Sequence, residues 1–586
     1  MLRSCRSLFL YSPATLRSTV LVLISLCLAD RSRAQDQNPQ SDQTVSIRGT
    51  VVNSVTHAPI GRAQVYSGDN RFAVMTDDQG HFEVAFPQTA DTGTVSKLNG
   101  FQLMARKPGF LTDRYHPSRD LGLTPSTNDL TISLVPEAIL MGRIALESAE
   151  SPDGIRVQLF RREVQDGLGH WAPTEIATTN SKGEFRFSEL YAGDYRIGTH
   201  EVGDRDTADI IPGRKIYAYP PVYFPEASDF PSASTIHLSP GRVFEADLSL
   251  ARRQYFPVKV SVNGLTAPAP INISVSVRGD GAPGYSLGYN GFDHTIRGAL
   301  PNGIYVVEAS SFSQQGATGV MNLRIENAPA EAGQLTLLPN GTIPVHVNEE
   351  FTSAVLSQQY AGVISGGGEK IYLRSRHQYL NVMLEPVSDF GRGRGAYLRP
   401  PKGPGDESLA IDNVQQGRYW VRVSSSRGYA ASVTSGGLDL QHRPLVVGPG
   451  GSSSPIEITM RDDTASFDGN IEGANGAMDG SSSLTGQIAP WVSSAPFAYV
   501  YCIPMADSAG QFTQVGVSPD GKFDSPQIPP GQYRVLVFSH QQNNLEFRNA
   551  DAMRAFESEG QVVSLVAGQK EHLRLQLISK ADENAD

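Results

Sequence analysis

Cysteine is scarce in this chain, and the scarcity excludes a good deal. The three cysteines stand at positions 5, 27 and 502. The first two lie in an N-terminal segment with the pattern of an export leader, so the rest of the chain carries Cys502 alone and no intrachain disulfide can form. Long apolar runs are also lacking. Beyond Val20 to Ala29 no segment approaches the length of a membrane span. Positive charge is short as well. The net charge is −11, and residues 1–34 hold five Arg and one Asp, so the chain without them stands at −15. Such a chain has no general field for phosphates, which excludes nucleic acid as a partner. No apolar period of helical type runs through the middle of the sequence.

What is abundant is turn-forming residues. With 57 Gly and 38 Pro among 586 residues, the composition predicts short strands joined by many turns, in more than one domain. The leader itself has Arg3, Arg6 and Arg17, then the apolar run, then "SRAQ" with Ser32 and Ala34 as the small residues before a cut. This predicts a signal peptide over 1–34 and a mature start at Gln35. Cys27, preceded by Leu26, lacks the small residue a lipoprotein signal needs. Export without disulfides points to a bacterial periplasm, outer surface or medium.

The strongest pattern is a repeat. "SKGEFRFSELYAGDYRI" (181–197) and "SPDGKFDSPQIPPGQYRV" (518–535) share Gly-x-Phe-x7-Gly-x-Tyr. "GALPNGIYVVEA" and "DESLAIDNVQQGRYWVRV" carry the second half of the frame. The four tyrosines are Tyr195, Tyr305, Tyr419 and Tyr533, separated by 110, 114 and 114 residues. Spacing of this order predicts tandem domains of immunoglobulin size. Within the frame, Gly supplies a tight turn, Phe opens a strand, and a second Gly turn leads into a strand that alternates apolar and polar from the Tyr. The Tyr resembles a tyrosine corner, with its ring inside and its hydroxyl on backbone near the turn. A second frame closes the modules: "IHLSPGRVFEADLSL" and "VSLVAGQKEHLRLQL" agree in their Leu and Gly offsets. A short helix is expected only around 549–558.

Residues 45–84, "VSIRGTVVNSVTHAPIGRAQVYSGDNRFAVMTDDQGHFEV", resemble the carboxypeptidase regulatory-like domain through Gly49, Val51, Pro59, Ile60, Ala63, Val65, Thr76, Asp77, Gly80 and Phe82. "KPGF" at 107–110 matches the Gly-aromatic element that follows in that family. The resemblance implies a prealbumin-like β-sandwich related to carbohydrate-binding-like folds. The later modules share only the Gly-x-Phe and Gly-x-Tyr elements and lack the clean opening motif. The expectation is therefore an all-β chain of tandem Ig-like or prealbumin-like sandwiches: a signal peptide over 1–34, the regulatory-like module over 45–136, and further sandwiches over 137–252, 253–342, 343–463 and 464–580.

Reactive motifs are sparse. His346 and Glu349 form one His-x-x-Glu, at a strand end without an α/β domain around it. Ser286 sits in "GYSLG", followed by loop and strand rather than the helix a nucleophile elbow requires. "RGDG" at 278–281 reads as a turn, and "GGGEK" at 366–370 lacks phosphate-loop spacing. Glu201, Asp204, Asp206 and Asp209 form either a hard-cation loop or a solvated one. No catalytic residue, metal or cofactor is expected. One stretch suits a ligand: "KIYAYPPVYFPEASDF" (215–230), where Tyr217, Tyr219, Tyr223 and Phe224 surround prolines. Exposed, they would stack on sugar rings; otherwise they pack over the end of the second sandwich. The family resemblance implies carbohydrate binding at the cell envelope, with a polysaccharide as partner. Two alternatives stand beside it: a structural or adhesive envelope protein that binds other proteins, and an accessory subunit of a secreted hydrolase.

Overall fold

A glycine with a phenylalanine ring lying across it sets the entry to three of the five sandwiches. In the computed structural model, which describes residues 44–87, 103–113, 130–147, 150–203, 215–264, 270–279, 281–311, 316–352, 363–366, 369–372, 374, 376–388, 390, 395–403, 405–472, 498–505, 508, 510–578 and is all-β apart from short helical turns, Gly49 pairs with Phe82, Gly142 with Phe185 and Gly469 with Phe523. A Cβ at these glycines would stand 2.0 Å from the Leu130 carbonyl oxygen, 2.1 Å from that of Ala246 and 2.0 Å from that of Leu573. No side chain fits there, and the cross-strand ring covers the backbone instead. Gly142-x-Ile144 and Gly469-x-Ile471 therefore occupy the place of Gly49-x-Val51. Two of the later modules thus keep the glycine of the opening motif without its clean form. The neighbouring residues differ enough to hide it.

The topology repeats. Each opening strand lies between an antiparallel return strand and a parallel closing strand. In the first module Thr44–Asn53 lies between His81–Pro87 and Leu130–Pro136. In the second, Ala138–Leu146 lies between Glu184–Leu190 and the pair Val243–Glu245 and Leu248–Leu250. In the third, Arg253–Asn263 lies between Thr295–Pro301 and Ala330–Thr336. Gly341–Glu350 takes the position in the fourth, between Ala410–Val414 and Ile456–Arg461. Ser466–Glu472 takes it in the fifth, between Lys522–Asp524 and Lys570–Gln576. A parallel partner cannot be reached by a hairpin, so the chain must cross to a second layer and return, and the crossing builds the sandwich.

In modules two to five that second layer holds the tyrosine strands: Gly193–Thr199, Gly303–Ser311, Gly417–Ser425 and Gly531–Phe538. All four rings are buried. Each hydroxyl donates to the carbonyl four residues earlier: Tyr195 to Tyr191 at 2.8 Å, Tyr305 to Pro301 at 3.0 Å, Tyr419 to Gln415 at 2.9 Å and Tyr533 to Pro529 at 2.6 Å. The corner fixes the turn before the strand while satisfying a hydroxyl that burial would otherwise strand. Burial raises the Tyr419 hydroxyl pKa to about 12. Each module has its own apolar core between the two layers. The fifth adds a second apolar cluster on the outer face of its tyrosine layer, where Leu545, Phe547, Met553 and Phe556 cover Tyr501 and Phe538. The short helix Ala550–Met553 lies in that cover, with the Asn549 side chain accepting from the Asp551 and Ala552 amides. Residues 1–34, where the signal peptide is expected, lie outside the described residues.

Candidate functional site

The aromatic stretch 215–230 forms a joint. Its start, Ile216–Ala218, pairs antiparallel with the third module's opening strand: Ile216 opposite Tyr255, Tyr217 opposite Gln254, Ala218 opposite Arg253. Tyr219 turns to Val202, and Pro220 and Pro221, which donate no amide, keep the ladder from resuming. Tyr219 bridges Val202 and turns its ring into the second module's core, where it is 2% exposed. Tyr223 is 4% exposed. Its backbone bridges Gly198 and Ala227, and its ring fills the space over Gly198, where a Cβ would come within 2.3 Å of it. The Tyr223 hydroxyl donates to the Pro283 carbonyl of the third module at 3.0 Å.

An exposed sugar platform over these residues is thus corrected at Tyr219 and Tyr223. The prolines prevent a regular ladder, but they do not prevent inward packing, and Gly198 supplies the room. Phe224 is half-buried, edge-on to Phe244 at 5.9 Å. Tyr217 is half-buried with the Arg252 guanidinium 5.1 Å from its ring centre. The four residues do not share one face toward solvent.

Beyond Tyr223 the aromatics continue. Phe230 meets Phe160 at 4.9 Å, Trp171 at 5.9 Å and Phe390 of the fourth module at 4.4 Å. Arg196 lies over Trp171 at 4.5 Å and Phe230 at 5.0 Å and donates to the Phe230 carbonyl at 2.9 Å. Burial first, and then the nearby Arg162 charge, lower the Arg196 pKa.

Glu201 and Ser286 also meet at this joint. The Glu201 carboxylate accepts from the Ser286 amide at 2.9 Å and its hydroxyl at 2.7 Å, and the Glu201 amide donates to the Gly284 carbonyl at 3.0 Å. Burial raises the Glu201 pKa, offset in part by the Ser286 hydrogen bonds. Ser286 is bound to this carboxylate, while His294 bonds the Tyr289 hydroxyl at 2.8 Å. Asp204, Asp206 and Asp209 lie outside the described residues. His346 and Glu349 sit three apart on one strand, so their side chains leave opposite faces and cannot hold one ion. Glu349 accepts instead from the Tyr379 hydroxyl. Among the described residues no group of three or more His, Cys, Asp or Glu is placed to hold a metal.

A set of residues the sequence did not flag lies at the tip of the hairpin made by Arg156–Gln165 and Leu168–Thr178. Asp166 and Gly167 turn it with φ of 47° and 76°. The Asp166-Gly167 dipeptide is a hairpin signal readable in sequence, but its destination is not. The tip reaches both the fourth and fifth modules, beside a cleft of about 1520 Å³ whose walls include Glu385, Trp420, Arg422 and Met553. A smaller cleft of about 820 Å³ lies between the second and third modules.

No family model and no curated protein matches the chain. Solved structures do. The Bacillus anthracis TIE protein is 9% identical, over 71% of this chain and 68% of that one, with a TM-score of 0.14. The Streptococcal ancillary pilin is 11% identical, over 51% of this chain and 100% of that one, at 0.18. GBS52, the minor pilin of Streptococcus agalactiae, is 14% identical, over 35% and 96%, at 0.17. At such TM-scores these likenesses carry no argument about this chain's work. Among the described residues no helix is long and apolar enough to cross a membrane.

Proposed function

We propose that this chain is an exported, non-catalytic structural or adhesive protein of the cell envelope, whose tandem sandwiches present a surface that meets other proteins. The observation that supports this reading is the use made of residues 215–230. Rings that would serve a sugar site are taken up in joining the second module to the third, with Tyr219 and Tyr223 inside. Shape, rather than a ligand pocket, is what the aromatics secure. The first module is carried in this proposal as a carboxypeptidase regulatory-like sandwich, on the residues of 45–84 named above.

Mature protein applied to a glycan array and, in parallel, used to capture proteins from envelope fractions of its own source tests this. Capture of discrete proteins with no retained glycan is expected. Retention on a defined polysaccharide, competed by the soluble sugar, would return carbohydrate binding to first place. Terminal sequencing of exported material should begin at Gln35.

A further inference from the structure

The Asp166-Gly167 tip of the second module lies between the fourth and fifth. Arg422 of the fourth module donates to Asp166 at 2.6 Å and to Glu385 at 3.0 Å, and Gln165 donates to the same Glu385 at 2.6 Å. Arg548 of the fifth module pairs with Asp166 at 3.2 Å, and its amide donates to the Gly167 carbonyl at 3.0 Å. Arg162, further down the hairpin, pairs with Glu546 across 384 residues of sequence, with its Nε at 3.0 Å. The Phe547 ring lies against Gly167, so near that a Cβ there would stand 2.7 Å from it.

We propose that this contact is a releasable latch: closed, it draws modules two, four and five into one body; open, it lets module five swing away from module two. Three observations carry the idea. First, none of Arg162, Asp166, Gly167, Glu546 or Arg548 belongs to a module core, so release leaves every core whole. Second, among the described residues the contacts that join modules two and five are ionic and polar apart from the Phe547 ring on Gly167, and they run beside a wide cleft. Interfaces of this kind hold domains less firmly than apolar ones. Third, the chain has a hinge in the right place. Asp462 and Asp463 are tied to the fourth module, through the Thr352 amide at 2.7 Å and the Tyr429 hydroxyl at 2.9 Å. Thr464 and Ala465 are tied to the fifth, through the Gly568 amide at 2.9 Å and the Ile528 carbonyl at 2.8 Å. The link from Asp463 to Thr464 is where one set of ties ends and the other begins.

Arg162, Asp166 and Arg548 keep about a third of their side-chain surface in solvent and Glu546 12%, so salt weakens these pairs less than it would fully exposed ones, and the latch should open only toward high ionic strength. Small-angle scattering of the full mature chain tests it with Arg162→Glu, Glu546→Arg and the two combined. Each single reversal places like charges together and should raise the radius of gyration by roughly a tenth or more. The combined variant restores the pair and should return the wild-type value. Unchanged dimensions in both single variants, or no return in the combined one, would overturn the proposal. Should a reversal fail to fold by circular dichroism, the wild type decides in a salt series up to about 1 M NaCl, where the screening length falls to about 3 Å. Expansion with salt supports the latch, and constant dimensions overturn it.

Discussion

The second module meets its neighbours in two contrasting ways. Toward the third it offers backbone pairing and buried rings: Ile216–Ala218 extends the neighbour's sheet, and Tyr223 reaches Pro283. Toward the fifth it offers a turn held by charges: Arg162 to Glu546 and Asp166 to Arg548. An apolar joint is held by water's exclusion and resists salt; an ionic one is weakened by it. The same sandwich thus has one neighbour fixed to it and one held at its discretion.

The contrast predicts a sequence of effects. Tyr223→Ala removes a ring packed on Phe230 and a bond to the next module, and should cost roughly 3–5 kcal/mol in denaturant unfolding. A loss below about 1 kcal/mol would mean the ring is not structural. Gly198→Ala forces a methyl into that ring and should cost about 1–3 kcal/mol. Arg162→Ala leaves the Glu546 carboxylate, 12% exposed, with Asn549 as a remaining donor, and should cost about 1–2 kcal/mol at low salt and less at high salt. An equal cost at both would make the two joints alike.

Glu201 gives the joint between modules two and three a pH signature. Its folded pKa is raised by burial above the ordinary 4.5. A raised folded pKa means that the contribution is full below the unfolded value and is lost as pH rises through the folded one. The melting temperature should therefore carry a small fall with rising pH above about 4.5, the unfolded carboxyl range. Glu201→Gln should flatten that part of the curve. An unchanged profile in the variant would assign the slope to other groups.

Much of the architecture is legible in the sequence because it depends on local rules. Gly-x-Phe and Gly-x-Tyr mark turns, with Gly183, Gly193, Gly417, Gly521 and Gly531 at positive φ, and Tyr195, Tyr305, Tyr419 and Tyr533 each make the corner the spacing implies. The opening glycines Gly142 and Gly469 are not legible in this way, because what identifies them is a carbonyl about 100 residues away in sequence. Residue types alone mark the aromatic stretch, and types do not say which way a ring turns: Gly198 decides that for Tyr223. The latch was invisible for the same reason at longer range. Asp166-Gly167 announces a hairpin, but nothing nearby names Arg422 or Arg548.

The parallel pairing of opening and closing strands has a mechanical consequence. Two adjacent strands that run the same way bring the chain into a module at one end and let it out at the other. A tension applied between the ends of the fifth module would slide Ser466–Glu472 along Lys570–Gln576 in opposite senses, loading all the hydrogen bonds of their seven paired residues together. A hairpin pulled from its open end instead gives way one bond at a time. Each sandwich is thus built to bear load along its length, and single-molecule pulling on residues 464–578 should show one high rupture event rather than a gradual peel.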